Sequence, residues 1–204
     1  YRYTVEGLHH LDGPGAAVIV GYHGRPIAYD MCMLTVALYD RLGYLPHGMV
    51  YRWVDDMPLV RDWLTGDLGF VTGDDEHLAA AVDRGEHIMI TPGGVREACR
   101  GFRQRYRVCW GHHTGYLKIA LKYRLPIVPV AASGSDDAYI GLNDSYVLGR
   151  ALGLQGPWAS LPWFGLGPHN RFMRIFYILT DWLVEPLQRV VPTVGMFDIS
   201  PLVA

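Results

Sequence analysis

The chain has 204 residues, half of them hydrophobic, and a formal net charge of −2. That length suits one domain with a core of useful size, and the near-neutral balance offers nucleic acid no positive field. Three cysteines, Cys32, Cys99 and Cys109, make neither a disulfide framework nor a CxxC pair, and fit a reducing compartment.

The chain starts at Tyr1 without an initiator Met, so a missing N-terminal segment is expected. There is no secretory signal and no run of roughly 18 apolar residues that would mark a membrane span. Residues 1–5 alternate like an opening strand, and 13–15 form a turn. Residues 16–21 (AAVIVG) are a continuous apolar run of the buried parallel-strand type. Pro26 stands where a helix can begin, and 27–42 is predicted as that helix. It is apolar almost all round, which places it in the core or against lipid.

Residues 48–53 are a candidate short strand, 57–65 a helix and 70–72 another short strand. Asp74, Asp75 or Glu76 can cap a helix over 77–84, which stops at Gly85. Residues 87–91 (HIMIT) are a strong strand, ended by Pro92-Gly93-Gly94. Residues 114–123 form a second clear helix, with Leu117, Ala120 and Leu121 on one side and Lys118 and Lys122 outside. Residues 125–131 (LPIVPVA) are another buried strand. Beyond them, 158–168 reads as an irregular loop and 172–182 as a last strand. Strands alternating with helices predict an α/β fold: a single layered domain over 1–204, with a largely parallel sheet flanked by helices.

In parallel sheets, sites form where loops leave the carboxyl ends of strands. His23 lies at such a place. Asp30, in the first turns of the following helix, could accept the imidazole Nδ1 proton and leave Nε2 to act as a base. As a bare pair, His23 is equally a turn residue and Asp30 a helix-start charge. Pro92-Gly93-Gly94-Val95-Arg96-Glu97 also follows a buried strand. Its glycines permit close backbone approach and expose amides, and Arg96 could fork onto a phosphate. Arg100, Arg103, Arg105 and Arg107 form a cluster that could meet coenzyme A phosphates or an anionic membrane, or simply be a solvated loop face. Trp158, Trp163 and Phe164 are either interfacial anchors or core under a loop.

Taken together and in order, these blocks resemble the glycerophospholipid acyltransferase superfamily, nearest the branch of type-2 diacylglycerol acyltransferases. VIVGYHGRPIAYDMCML is similar to that family's first block. GFVTGDDEHLAAAVDRGEHIMITPGGVREA leads through its third, and WGHHTGYLKIALKYRLPIVPV forms its fourth. The likeness covers about residues 1–145. It implies that His23 is the general base and that Asp30 orients it. It also implies that Gly24, Gly93, Gly94, Arg96 and Glu97 bind substrate, and that Pro129 shapes the site.

The resemblance further implies an acyl thioester donor (acyl-coenzyme A or acyl-carrier protein) and a glycerolipid or lysophospholipid hydroxyl as acceptor. It implies no resident cofactor or metal, membrane association with the site facing the cytoplasm, and no nucleic-acid partner. Three departures stand out. The family's common spacing is His-x4-Asp, whereas six residues separate His23 from Asp30, and its usual Asn before the histidine is Tyr22. The usual Glu of the third block is Gly93, which points to a less charged acceptor than lysophosphatidic acid. Arg52, in the region of the second block, is assigned no role.

Backbone amides around Gly24 and Gly93–Gly94 would stabilise the oxyanion. The rival readings are a lipid or thioester hydrolase, a metalloenzyme and a non-catalytic lipid-binding protein on the same fold. A hydrolase elbow Gly-x-Ser-x-Gly is absent, as are GxxxxGK[ST] and GxGxxG. The paired histidines His9-His10 and His112-His113 lack a His-Glu-x-x-His frame.

Overall fold

A computed structural model describes residues 3–50, 58–72, 76–155, 159 and 165–166. Arg52, Asp74, Asp75, Trp158, Trp163, Phe164 and the strand expected over 172–182 lie outside them.

Four parallel strands form the main sheet: β1 (Val18–Gly21), β2 (His47–Gly48), β3 (Ile88–Ile90) and β4 (Ile127–Val130), in the order β2-β3-β1-β4. A layer of helix covers each face, as the α/β reading expects. β1 is buried on both faces because its alternate residues feed two cores. Val18 and Val20 meet Leu78 and Ala81 of α3 (Glu76–Asp83) and Ile119 and Ala120 of α5 (Gly115–Tyr123). Ile19 faces the other way, onto Met31, Leu34 and Leu38 of α1 (Arg25–Leu42). Apolar residues on both sides of one strand explain its unbroken hydrophobic run.

Several expectations are refined. Residues 3–5 are not strand. The helix expected over 57–65 is α2 (Pro58–Asp62), continued by a π-helical turn at Trp63–Asp67. Val71 contributes only a bridge to Met49. On α5 the inward face is Tyr116, Ile119, Ala120 and Tyr123, and Leu121 points out with 79% of its surface exposed. The predicted face was rotated, because spacings of three, four and seven fit that core stripe better. β4 is half-exposed rather than buried, since it is the edge of the four-stranded sheet. The fold continues through α4 (Gly94–Ala98) to an antiparallel pair, β5 (Ile140–Gly141) and β6 (Gly165–Leu166), with α6 (Ser145–Ala151) between them.

α1 contains a break. Ala28 has φ 49° and ψ 48°, the left-handed region, so a short opening turn precedes the helix proper. L-residues resist that conformation by roughly 1–2 kcal/mol, and its place beside the site is informative. The outward side of α1 carries Tyr29, Val36 and Tyr39, all exposed.

Candidate active site

The registers of β1 with β3 and β4 bring three strand ends to one edge of the sheet. Three loops leave there. One runs through Tyr22, His23 and Gly24 into α1. The second runs through Pro92 and Gly93 into α4. The third follows β4 to a 3₁₀ turn at Ser135–Ala138.

His23 is half-buried. Its Nδ1 lies 2.8 Å from the Gly24 carbonyl oxygen. A carbonyl only accepts, so in this geometry Nδ1 carries the proton and Nε2 is the basic nitrogen. Burial lowers the proton affinity of His23. The Gly24 carbonyl and the charges of Asp30 and Glu97 oppose that, while Arg100 adds to it. The ring is therefore held neutral, as a base must be before it takes a proton.

Asp30 is buried beneath this turn. Its Oδ1 accepts the Met31 N–H at 3.0 Å, and its Oδ2 has no hydrogen-bond partner among the described residues. Burial raises its pKa, with the Met31 amide and the nearby His23 pulling it back. A Cβ on Gly24 would lie 2.7 Å from Asp30 Cγ, so only glycine admits the carboxylate this close. The sequence expectation was an Asp30 bond to Nδ1. The structure gives that bond to the Gly24 carbonyl and sets the Asp30 carboxyl nearby.

Glu97 is placed differently from a substrate-binding residue. It is fully buried, with Oε2 accepting the His23 N–H at 2.6 Å and Oε1 the Cys109 N–H at 2.7 Å. Gly93 must be glycine because a Cβ there would overlap the Glu97 side chain. Gly94 takes φ 48°, and its N–H donates to the Thr91 carbonyl at 3.0 Å. Arg96 pairs with Asp144 at 3.2 Å and stacks on Tyr146, 4.9 Å from the ring centre.

Arg100 departs furthest from the sequence reading. It was grouped with exposed arginines, yet its side chain is wholly buried against Asp136, 2.7 Å from Oδ1. It also donates to the His23 carbonyl at 3.0 Å. Arg103, Arg105 and Arg107 are exposed, as that grouping expects. Tyr22 lies under the Arg100 guanidinium, 5.2 Å away, and its hydroxyl meets Ser135 Oγ. Burial pushes that hydroxyl up to about 12, so it stays protonated.

The sequence reading missed Ser135 and Asp136. Their position just past a parallel strand was the available signal. Among the described residues no cluster of His, Cys, Asp and Glu could hold a metal ion.

Comparison with known proteins fits this geometry. The sequence profile named Acyltransferase matches residues 2–133. A second profile, CCB3/YggT, matches residues 157–204. An uncharacterized protein of Mycobacterium tuberculosis is 30% identical over 176 residues, covering 82% of this chain and 45% of that protein. The human "DGAT1/2-independent enzyme synthesizing storage lipids" is 28% identical over 146 residues, 70% of this chain and 43% of that protein. "Phytyl ester synthase 2, chloroplastic" of Arabidopsis thaliana is 27% identical over 140 residues, 66% of this chain and 20% of that protein. The chain thus spans less than half the length of these relatives. No solved structure matches it. With most of its length under one profile and its histidine at the carboxyl end of a central parallel strand, the chain belongs to the acyltransferase family.

Proposed function

We propose that this chain transfers a fatty acyl group from an acyl thioester to the hydroxyl of an uncharged lipid, with His23 as general base. The supporting observation is the Nδ1 contact to the Gly24 carbonyl, which leaves Nε2 basic above a buried carboxylate. Nε2 takes the hydroxyl proton as the oxygen attacks the thioester carbonyl. Asp30 stabilises the imidazolium that forms, and the departing thiolate recovers the proton. A thioester is already activated, so no acyl-enzyme is needed. The amides of Gly24 and Gly93 are the proposed oxyanion donors, since that of Gly94 is occupied by Thr91.

An uncharged acceptor fits the arginines. Arg96 is neutralised by Asp144 and Arg100 by Asp136. A phosphate at either would have to displace a carboxylate already in place. The printed names of the human and Arabidopsis relatives, a storage-lipid enzyme and an ester synthase, point the same way. Arg103, Arg105 and Arg107 are proposed to meet donor phosphates or an anionic membrane.

Membrane association, with the site facing the cytoplasm, is proposed through the exposed apolar side of α1. No helix among the described residues is long and apolar enough to cross a membrane. The donor, acyl-coenzyme A or acyl-carrier protein, is part of the proposal.

The test is transfer from labelled palmitoyl-coenzyme A to a panel of diacylglycerol, monoacylglycerol, long-chain alcohol and lysophospholipid. Each is run with wild type and His23→Ala, with an acceptor-free arm to detect hydrolysis. Wild type should esterify the uncharged alcohols, and His23→Ala should lose on the order of 10² to 10⁴ in rate. A folded His23→Ala protein that keeps wild-type transfer would refute the base assignment.

A further inference from the structure

We propose that Glu97, Arg100 and Asp136 form a positioning device for His23, gripping both ends of its peptide so that three loops set where the imidazole stands. The proposal rests on the reading of His23 as the base and assigns three residues to its placement.

β1 ends at Gly21, so the main chain at His23 has left the sheet ladder. Its N–H and carbonyl need partners elsewhere. Both find charged side chains. The N–H goes to Glu97 Oε2 at 2.6 Å, and the carbonyl takes Arg100 Nη1 at 3.0 Å. Neither grip is loose, because each is held from behind. Glu97 Oε1 binds the Cys109 N–H at 2.7 Å. Arg100 Nη2 binds Asp136, whose Oδ2 accepts the Tyr106 N–H at 2.6 Å. The guanidinium rests over Tyr22, and the Tyr22 hydroxyl returns to the loop carrying Ser135. The carboxyl ends of β1, β3 and β4 are thereby joined through one imidazole-bearing peptide.

Three buried charged side chains are an unusual way to hold a fold. Apolar residues of similar volume often do as well or better. Such residues cannot fix a peptide directionally. Directional hold matters here because a base displaced by about 1 Å can lose on the order of 10² in rate.

The device also has an electrical signature. The charged groups facing His23 are Asp30 from α1, and Glu97 and Arg100 from α4 and its exit. Burial is the largest influence on the ring. Beyond it, Glu97 favours its protonated form and Arg100 disfavours it. Losing the Glu97 charge therefore lowers the pKa of the base, and losing Arg100 raises it.

The experiment compares wild type, Glu97→Gln and the double variant Arg100→Met with Asp136→Leu. All use the donor and acceptor that turn over fastest in the panel above. The double variant removes both members of the ion pair, so neither is left buried without its partner. Expected for each folded variant is a kcat lower by on the order of 10²-fold, with both KM values within about two-fold of wild type. The acid limb of the kcat/KM profile should move to lower pH in Glu97→Gln and to higher pH in the double variant. If either readout stays at its wild-type value in a folded variant, the proposal is overturned. Should the double variant not fold, Glu97→Gln decides alone. His23→Ala runs alongside: inactive, it leaves the base assignment standing whatever Glu97→Gln does; active, it removes that assignment and this proposal with it.

Discussion

The β1–α1 and β3–α4 junctions follow one plan. Each strand ends in a loop with a glycine, and a carboxylate from the following helix folds back onto that glycine, Asp30 on Gly24 and Glu97 on Gly93. They differ in what the carboxylate finds there. Glu97 has an amide on each oxygen, His23 on one and Cys109 on the other. Asp30 has the Met31 amide on Oδ1 and nothing on the buried Oδ2 among the described residues. An unsatisfied buried polar atom costs about 1–3 kcal/mol, and such groups cluster where chemistry uses them. The same backbone device therefore makes a clamp at one junction and leaves a half-satisfied carboxyl beside His23, the proposed base, at the other. The number of amides in reach decides which.

Neutralising the half-satisfied carboxylate of Asp30 has the largest expected effect. Asp30→Asn should lower kcat by on the order of 10² to 10⁴ without lowering the melting temperature at neutral pH. The sign follows from linkage. The folded-state pKa of Asp30 is raised above 3.8, so the fold favours the protonated form. Wild type loses stability as pH rises from 3.8 through the folded value. The variant carries no such loss, and its advantage fades as pH falls back through that window. Melting curves from about pH 4 to about pH 8 check this. An Asp30→Asn protein that melts lower at neutral pH would mean that Oδ2 has a partner after all.

A smaller effect separates the junctions by stability. Gly24 and Gly93 have φ of −59° and −70°, both open to alanine, so the clash alone decides. Gly93→Ala displaces Glu97 and strands two amides, for about 2–4 kcal/mol in a denaturant midpoint. Gly24→Ala displaces a carboxylate that holds one amide, with its Oδ2 already lacking a partner among the described residues. It should stay within about 1 kcal/mol of wild type while losing most transfer. Equal losses of stability at the two glycines would erase the distinction between clamp and half-satisfied carboxyl.

The layered fold was legible because its signals are periodic. Residues 16–21 and 87–91 carry unbroken apolar runs, and these became β1 and β3. His23 and Gly93 were legible because they follow those runs. The α5 face was misread because Leu117 and Leu121 looked like core and are exposed, while Tyr116 and Tyr123 pack inward. Arg100 alone of its cluster was misread, because charge in sequence carries no partner. The partner, Asp136, stands 36 residues away on another loop. Whether a carboxylate meets two amides or one is set by the surroundings it reaches at Gly93 and Gly24, which no local pattern encodes.

The smallest expected effect concerns how the longer His23–Asp30 spacer fits the site. The spacer holds two residues more than the family's common four, and the break at Ala28 falls inside it. An alanine there sits in the left-handed region against a preference of roughly 1–2 kcal/mol. Glycine would relieve most of that. It would also add freedom to the unfolded chain and remove a methyl packed on the α1 core. The balance is a gain of about 0.5 kcal/mol for Ala28→Gly, read as a shift in denaturant midpoint at constant slope, with transfer near wild type. Ala28→Val should do the reverse and lower transfer as well, because a branched side chain drives the turn out of that region and takes Asp30 with it. A loss of stability in Ala28→Gly would mean that the left-handed turn at Ala28 stores no strain for glycine to relieve.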